Sequence, residues 1–302
     1  MGLDPASQER FSGFADLYDA NRPAPPPQLG PLLAAYAGCE RPRVADLGSG
    51  TGLSTRWAAG WAASVTGVEP NDEMRAVAES APLPGVSYVA GVAQQTGLPA
   101  SSIDVVTVVQ AMHWMDPDPT LAEVARILRP GGVLAVIDAD WPPVSGVAGA
   151  EAAWTTLHRR IRVFEARIAG GLDAEALRAP IDPDDPVLAD DDLADPHRNR
   201  VMPSGLRSWP KGGHLERMAR SGLFGFTREV ALSSPVDGGA ERFCALMYSQ
   251  GSYQVLRRRG LTEEEIGAVR FDREVRAAFS AAALLPGLSF TWRVRLGVKP
   301  AR

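Results

Sequence analysis

The chain has 302 residues, 45% of them hydrophobic and 22% charged, which is ordinary for a globular protein able to bury a core and is not the composition of a disordered one. A net charge of -5, with Lys211 and Lys299 as the only lysines, argues against an extended phosphate-binding face and so against nucleic acid as a partner. Cys39 and Cys244, the only cysteines, give neither a disulfide framework nor a thiolate metal site, and no apolar stretch is long enough to span a bilayer, so a cytoplasmic protein with no membrane partner is expected.

In chain order, a short helix is expected around Phe11 to Asp19, before the prolines from Pro23 to Pro27 break regular structure. A helix near Leu29 to Ala37 leads into an apolar run at Arg43 to Leu47, a helix from about Ser54 and a second run at Ser64 to Val68. After a helix beginning beyond Asn71 come a third strand at Val86 to Val89, a fourth at Val105 to Val109, a helix at Pro119 to Leu128 and a fifth strand at Val133 to Ile137. Such alternation signals βαβ units and a parallel sheet. The turn Arg129-Pro130-Gly131-Gly132 is expected to end the helix before strand five.

Periodicity weakens after Trp141. A helix from Ala150 to about Arg167 precedes an acidic, proline-containing stretch, read as an insertion, and a helix at His214 to Ser221 follows. Two further strands, Phe226 to Leu232 and Ser289 to Val298, are separated by helices at Ala240 to Arg259 and Glu263 to Ala283. The acids between Asp182 and Asp195 fit no EF-hand loop, and no His, Cys, Asp and Glu spacing suggests zinc. A solvated loop and no metal are expected.

Chemistry concentrates in the first half. Val44-Ala45-Asp46-Leu47-Gly48-Ser49-Gly50-Thr51-Gly52-Leu53 reads as a strand running into closely spaced glycines and then a helix, either a ligand cradle or an ordinary tight turn. A dinucleotide fingerprint would want Gly or Ala where Leu53 stands, which disfavours NAD. Asp46, two residues before the first glycine, suits a ligand with a cationic ammonium group better than a pyrophosphate. Glu69 ends the second strand, where an acid accepts hydrogen bonds from ribose hydroxyls. A solvated strand-end acid is the alternative, weakened because the glycine loop ends the adjacent strand on the same edge.

With these residues in place, the sequence resembles the class I S-adenosylmethionine-dependent methyltransferases, in their bacterial small-molecule, type 11 branch. DLGSGTG from Asp46, VEPNDEM from Val68, GVAQQTGLPASSIDVV from Gly91, QAMHWMDP from Gln110 and RILRPGGVLAV from Arg126 carry the resemblance, in order, over most of residues 11 to 137. It implies an α/β fold, a Rossmann-like seven-stranded mostly parallel sheet with helices on both faces, plus a mainly helical cap built from insertions. The expected division is a lid segment at 1–30, an S-adenosylmethionine-binding core at 31–140, an insertion or cap at 141–222, and the last strands with intervening cap helices at 223–302.

The resemblance also implies that Asp46 and the loop of Gly48, Ser49, Gly50 and Gly52 hold the methionine part and that Glu69 holds the ribose. Pro70, Asn71 and Met74 would border the adenine, with Ala93 and Gln94 on its other edge. Gln110 would meet the methionine moiety, and Tyr18 and Arg22 would face the site from the lid. Methylation of a hydroxyl needs a base, for which His113 is the best-placed candidate, with packing as its other reading. Trp114, Asp140, Trp141 and Tyr248 are the candidates for lining the acceptor pocket. The expected activity is direct, in-line methyl transfer to a small molecule, in secondary metabolism, with S-adenosylhomocysteine as product; the alternative is a protein of this fold that binds the cofactor without transfer, as a cyclase or regulatory binder.

Overall fold

The computed structural model describes residues 22–172, 174–182, 200–201, 207–284 and 287–301. The helix expected at Phe11 to Asp19, Tyr18 and most of the acidic stretch lie outside the described residues.

Seven strands form one sheet: β1 (Arg43–Leu47), β2 (Ser64–Val68), β3 (Val86–Val89), β4 (Ile103–Val109), β5 (Leu128–Ala139), β6 (Phe226–Val236) and β7 (Leu288–Val298). Their spatial order is β3-β2-β1-β4-β5-β7-β6. The first five run parallel, while β7 is antiparallel to both β5 and β6. The chain leaves β1 toward β2 and β3, then returns to place β4 on the other side of β1. That reversal opens a crevice beyond the carboxyl end of β1, the place where open α/β sheets bind ligands.

The central strands are largely apolar because helices cover both faces. On one face Val105, Val133, Ala135 and Ile137 pack with α1 (Leu29–Tyr36), α5 (Ala148–Ala169), α7 (Ala240–Tyr248), α8 (Gly251–Arg258) and α9 (Ala268–Ala281). The alternate residues Val106, Val108, Leu134 and Val136 pack with α4 (Pro117–Ile127) and with Met218 of α6 (His214–Arg220) on the other. Two shorter helices complete the parallel units, α2 (Leu53–Ala59) after β1 and α3 (Asp72–Glu79) after β2. Edge strand β6 alternates in burial, carries Arg228 and Glu229, and admits Pro235, features that discourage pairing with another chain.

The late helices form an aromatic core continuous with the sheet rather than a detached cap. Trp154 of α5 meets Phe243 edge-on at 5.2 Å and stacks near Trp141 at 6.0 Å, and Trp141 meets Phe290 of β7 at 4.9 Å. No helix among the described residues is long and apolar enough to cross a membrane.

Three boundaries differ from expectation. The segment Arg129-Pro130-Gly131-Gly132 is not a turn ahead of β5 but a bulge within it: pairing to β4 starts at Leu128, shifts register, and resumes at Val133, with Gly131 at φ 76° taking up the extra chain. The helix expected at Ala240 to Arg259 breaks at Ser249 and Gln250. The one expected at Glu263 to Ala283 breaks at Gly267, whose φ of 97° ends the helical turn Glu263–Ile266 and starts α9.

Candidate active site

β1 delivers the glycine loop to the crevice. At Gly48 the backbone is left-handed, with φ 69°, and a Cβ there would sit 2.8 Å from the Ala111 Cβ, so only glycine lets the loop lie against the end of β4. Four of the loop's amides are spent inside the protein. Those of Gly48 and Ser49 donate to the Val68 carbonyl at 2.9 and 3.3 Å, that of Gly50 to Glu69 Oε2 at 2.9 Å, and that of Gly52 to the Ser49 carbonyl at 2.9 Å. A phosphate cradle works the other way, turning successive free amides toward the anion.

Beneath the loop, Asp46 is fully buried and its carboxylate accepts from Ser54 Oγ at 2.6 Å, Thr55 Oγ1 at 2.7 Å and Thr107 Oγ1 at 2.9 Å. Burial pushes its carboxyl above the ordinary carboxylate value, against the pull of those three hydroxyls. Asp46 therefore ties β1, α2 and β4 together, and it does not line the crevice as its expected contact with an ammonium group required. Gly52 also departs from expectation. It caps α2 in the left-handed region, and a Cβ there would lie 2.4 Å from the Tyr88 hydroxyl, so this glycine makes room for a tyrosine instead of a ligand.

Glu69 does face the crevice. Oε2 accepts from Gly50 N and Oε1 from Asn71 N, each at 2.9 Å, so two backbone amides fix the carboxylate in orientation while each oxygen keeps a lone pair to offer. Burial raises its pKa above the ordinary value, opposed by those amides and by Arg75. Asn71 caps α3 by accepting from Met74 N at 3.1 Å, which sets Met74 on the crevice wall.

The crevice is a cavity of about 580 Å³. Of the expected cofactor residues, Arg22, Gly48, Ser49, Gly50, Glu69, Pro70, Met74, Ala93, Gln94 and Gln110 line it, and of the expected acceptor residues Trp114 and Trp141 do. Arg22 lies 4.8 Å over the Trp141 ring, and its guanidinium donates to Gln250 Oε1 at 3.3 Å. Asp140 instead pairs with Arg293 at 3.0 Å outside the cavity. Tyr248 packs in the aromatic core against Tyr253 and Phe271. His113, expected as a base, sits in the turn Met112–Trp114 with its ring against Trp114 at 4.5 Å and does not line the cavity. Asp116 does, together with Met115 and Gln95, which the sequence reading passed over.

This geometry agrees with comparison to known proteins. Residues 45–136 match the family model for a methyltransferase domain, the type 11 model. Residues 45–136 are thus similar to the methyltransferase domains of the type 11 family. An uncharacterized methyltransferase of Mycobacterium tuberculosis is 40% identical over 128 residues, covering 42% of this chain and 51% of that protein. A fatty-acid O-methyltransferase of Mycolicibacterium smegmatis is 32% identical over 190 residues, 60% of this chain and 63% of that one. The chain thus spans about half to two-thirds of the length of these curated relatives. A solved structure of a proposed type II methyltransferase from Anaeromyxobacter dehalogenans shares the fold, with a TM-score of 0.55, 22% identity, and coverage of 93% of this chain and 98% of that one.

Behind the cavity, the sheet closes around a buried polar cluster that sequence reading missed. Asp138 of β5 pairs with Arg295 of β7 at 2.9 Å and with Lys211 at 3.0 Å, and Arg295 reaches Glu229 of β6 at 2.7 Å. Burial works to raise the Asp138 carboxyl, but the surrounding positive charge, Lys211 first, outweighs it and holds the group at about 2.

His214 is 3% exposed in the same cluster, and burial pushes it down to about 4 against the pull of Asp138, with Arg295, Arg217 and Lys211 adding to the depression. Since the unfolded chain binds this proton near the ordinary histidine value of 6.5, unfolding is favoured as pH falls from 6.5 to 4 and the effect saturates below. We expect urea unfolding to show about 2 kcal/mol less stability at pH 5 than at pH 7 from this group. His214→Leu should remove that part of the slope, and an unchanged slope contradicts the assignment.

Proposed function

We propose that the chain methylates a small carboxylic acid in the cytoplasm, using S-adenosylmethionine held in the cavity at the end of β1. The observation that carries this reading is the Glu69 carboxylate, fixed by two amides on the cavity wall beside a glycine loop four of whose own amides are occupied. An oriented carboxylate takes both hydroxyls of a ribose, while a loop with spent amides has little to offer a pyrophosphate. An adenosyl group without phosphates fits both conditions.

The order of the strands then orders the ligand. Pro70, Met74, Ala93 and Gln94 stand on the β2 and β3 side for the adenine; Glu69 takes the ribose, and Gly48, Ser49, Gly50 and Gln110 flank the methionine part between β1 and β4. Bound there, S-adenosylmethionine supplies a sulfonium methyl group that passes directly to a nucleophile. Trp114, Trp141 and Arg22 border the adjoining space toward β5. The work of these side chains is to bind the acceptor, align it and exclude water.

Two grounds favour a carboxylic acid. The titratable side chains lining the cavity among the described residues are Arg22, Glu69 and Asp116, and a carboxylate, ionised at neutral pH, asks none of them to remove a proton. A similar protein from Mycolicibacterium smegmatis is a fatty-acid O-methyltransferase.

Incubating the protein with methyl-labelled S-adenosylmethionine and a panel of fatty and short polycarboxylic acids tests this. The expected product is a methyl ester formed one for one with S-adenosylhomocysteine. Methylation confined to amines or alcohols contradicts the acceptor class, and an isomerised acceptor with the cofactor intact contradicts transfer itself.

A further inference from the structure

Gln110 directly follows β4 with φ 53°, a left-handed conformation that costs a side-chain-bearing residue roughly 1 kcal/mol or more and persists only where neighbours enforce it. Its backbone amide donates to the Ile137 carbonyl at 2.8 Å, and its side-chain amide makes only a long contact, 3.4 Å, to the Ala139 carbonyl. The short contact comes from far along the chain: Lys211 Nζ donates to Gln110 Oε1 at 2.6 Å. Lys211 is in turn aimed by Asp138, which Arg295 and Glu229 hold in place. The same segment is zipped to the turn after β4 by its backbone, where Trp209 N donates to the His113 carbonyl at 2.9 Å.

Lys211 itself does not line the cavity, whereas Gln110 does. We propose that Lys211 is a positioning residue for the bound nucleoside: it holds Gln110 in its left-handed conformation and so makes the end of the insertion and the β4 rim of the cavity one rigid unit. A lysine suits the task because its compact charge on a long stem reaches two oxygen acceptors on neighbouring strands. The inference rests on the cavity being an S-adenosylmethionine site.

Isothermal titration of S-adenosylhomocysteine into wild type, Lys211→Met, Lys211→Arg, Gln110→Ala and the double variant Lys211→Met/Gln110→Ala tests it. Thermal unfolding of each variant without ligand runs alongside. Asp138 keeps Arg295 in Lys211→Met, so that variant should fold. Lys211→Met should bind about tenfold more weakly, the loss of one charge-assisted hydrogen bond, while Lys211→Arg stays nearer to wild type. In the Gln110→Ala background, Lys211→Met should weaken binding little further, an outcome that general loss of stability would not produce. Equal binding by wild type and Lys211→Met overturns the proposal, as does the same factor lost with and without Gln110. A wild type that does not bind at all overturns the reading of the cavity itself.

Discussion

Glu69→Ala lowers affinity for S-adenosylhomocysteine by about two orders of magnitude. The estimate follows from two hydrogen bonds between a buried carboxylate and neutral hydroxyls, each contributing about 1.5 kcal/mol net at a site largely closed to water. Two such bonds total about 3 kcal/mol, and every 1.4 kcal/mol is a factor of ten. The substitution also releases the amides of Gly50 and Asn71, so the glycine loop and the cap of α3 loosen together. Glu69→Gln separates these effects, since it keeps the shape and one acceptor oxygen but loses the charge and places an amino group where the other oxygen stood. It should recover part of the stability and little of the affinity. Calorimetry on both variants checks this, and near-wild-type binding by Glu69→Ala would show that the ribose is held elsewhere.

Asp46→Ala should act on the fold more than on the ligand. Three hydroxyls, from Ser54, Thr55 and Thr107, lose their common acceptor in a place water does not reach. Leaving buried donors unsatisfied costs about 1 to 3 kcal/mol each before they find other partners. We expect a loss of about 3 kcal/mol, several degrees in melting temperature for a chain of this length. Thr107→Val, which deletes one of the three donors, should cost about 1 kcal/mol. Urea unfolding distinguishes this account from the one the sequence suggested. If Asp46 met the ligand's ammonium directly, Asp46→Asn would keep most of the stability and lose most of the binding.

That contrast shows what was legible in the sequence. Strands β1 and β2 begin and end where their largely apolar runs do, because strands covered on both faces are apolar over most of their length. The start of β5 was not legible, since Arg129-Pro130-Gly131-Gly132 has the composition of a turn and only pairing with β4 makes it a bulge. The site divided in the same way. Gly48 and Gly50 announce themselves because a left-handed backbone demands glycine, and Glu69 because it follows β2 beside that loop. Whether Asp46 points into the cavity depends on Thr107, 61 residues away, and the place of Gln110 in the wall depends on Lys211, 101 residues away. His113 follows β4 as a base would, yet its ring lies against Trp114 outside the cavity. Tyr248 was drawn into the aromatic core by Tyr253 and Phe271, contacts between helices that sequence order does not reveal.

The most direct test of the whole account is titration of the wild-type protein with S-adenosylhomocysteine and, separately, with NAD. The account predicts one-to-one binding of the first, in the micromolar range usual for a buried small ligand, and no measurable heat from the second. Binding of NAD in place of S-adenosylhomocysteine, or binding of neither by the folded protein, would contradict it.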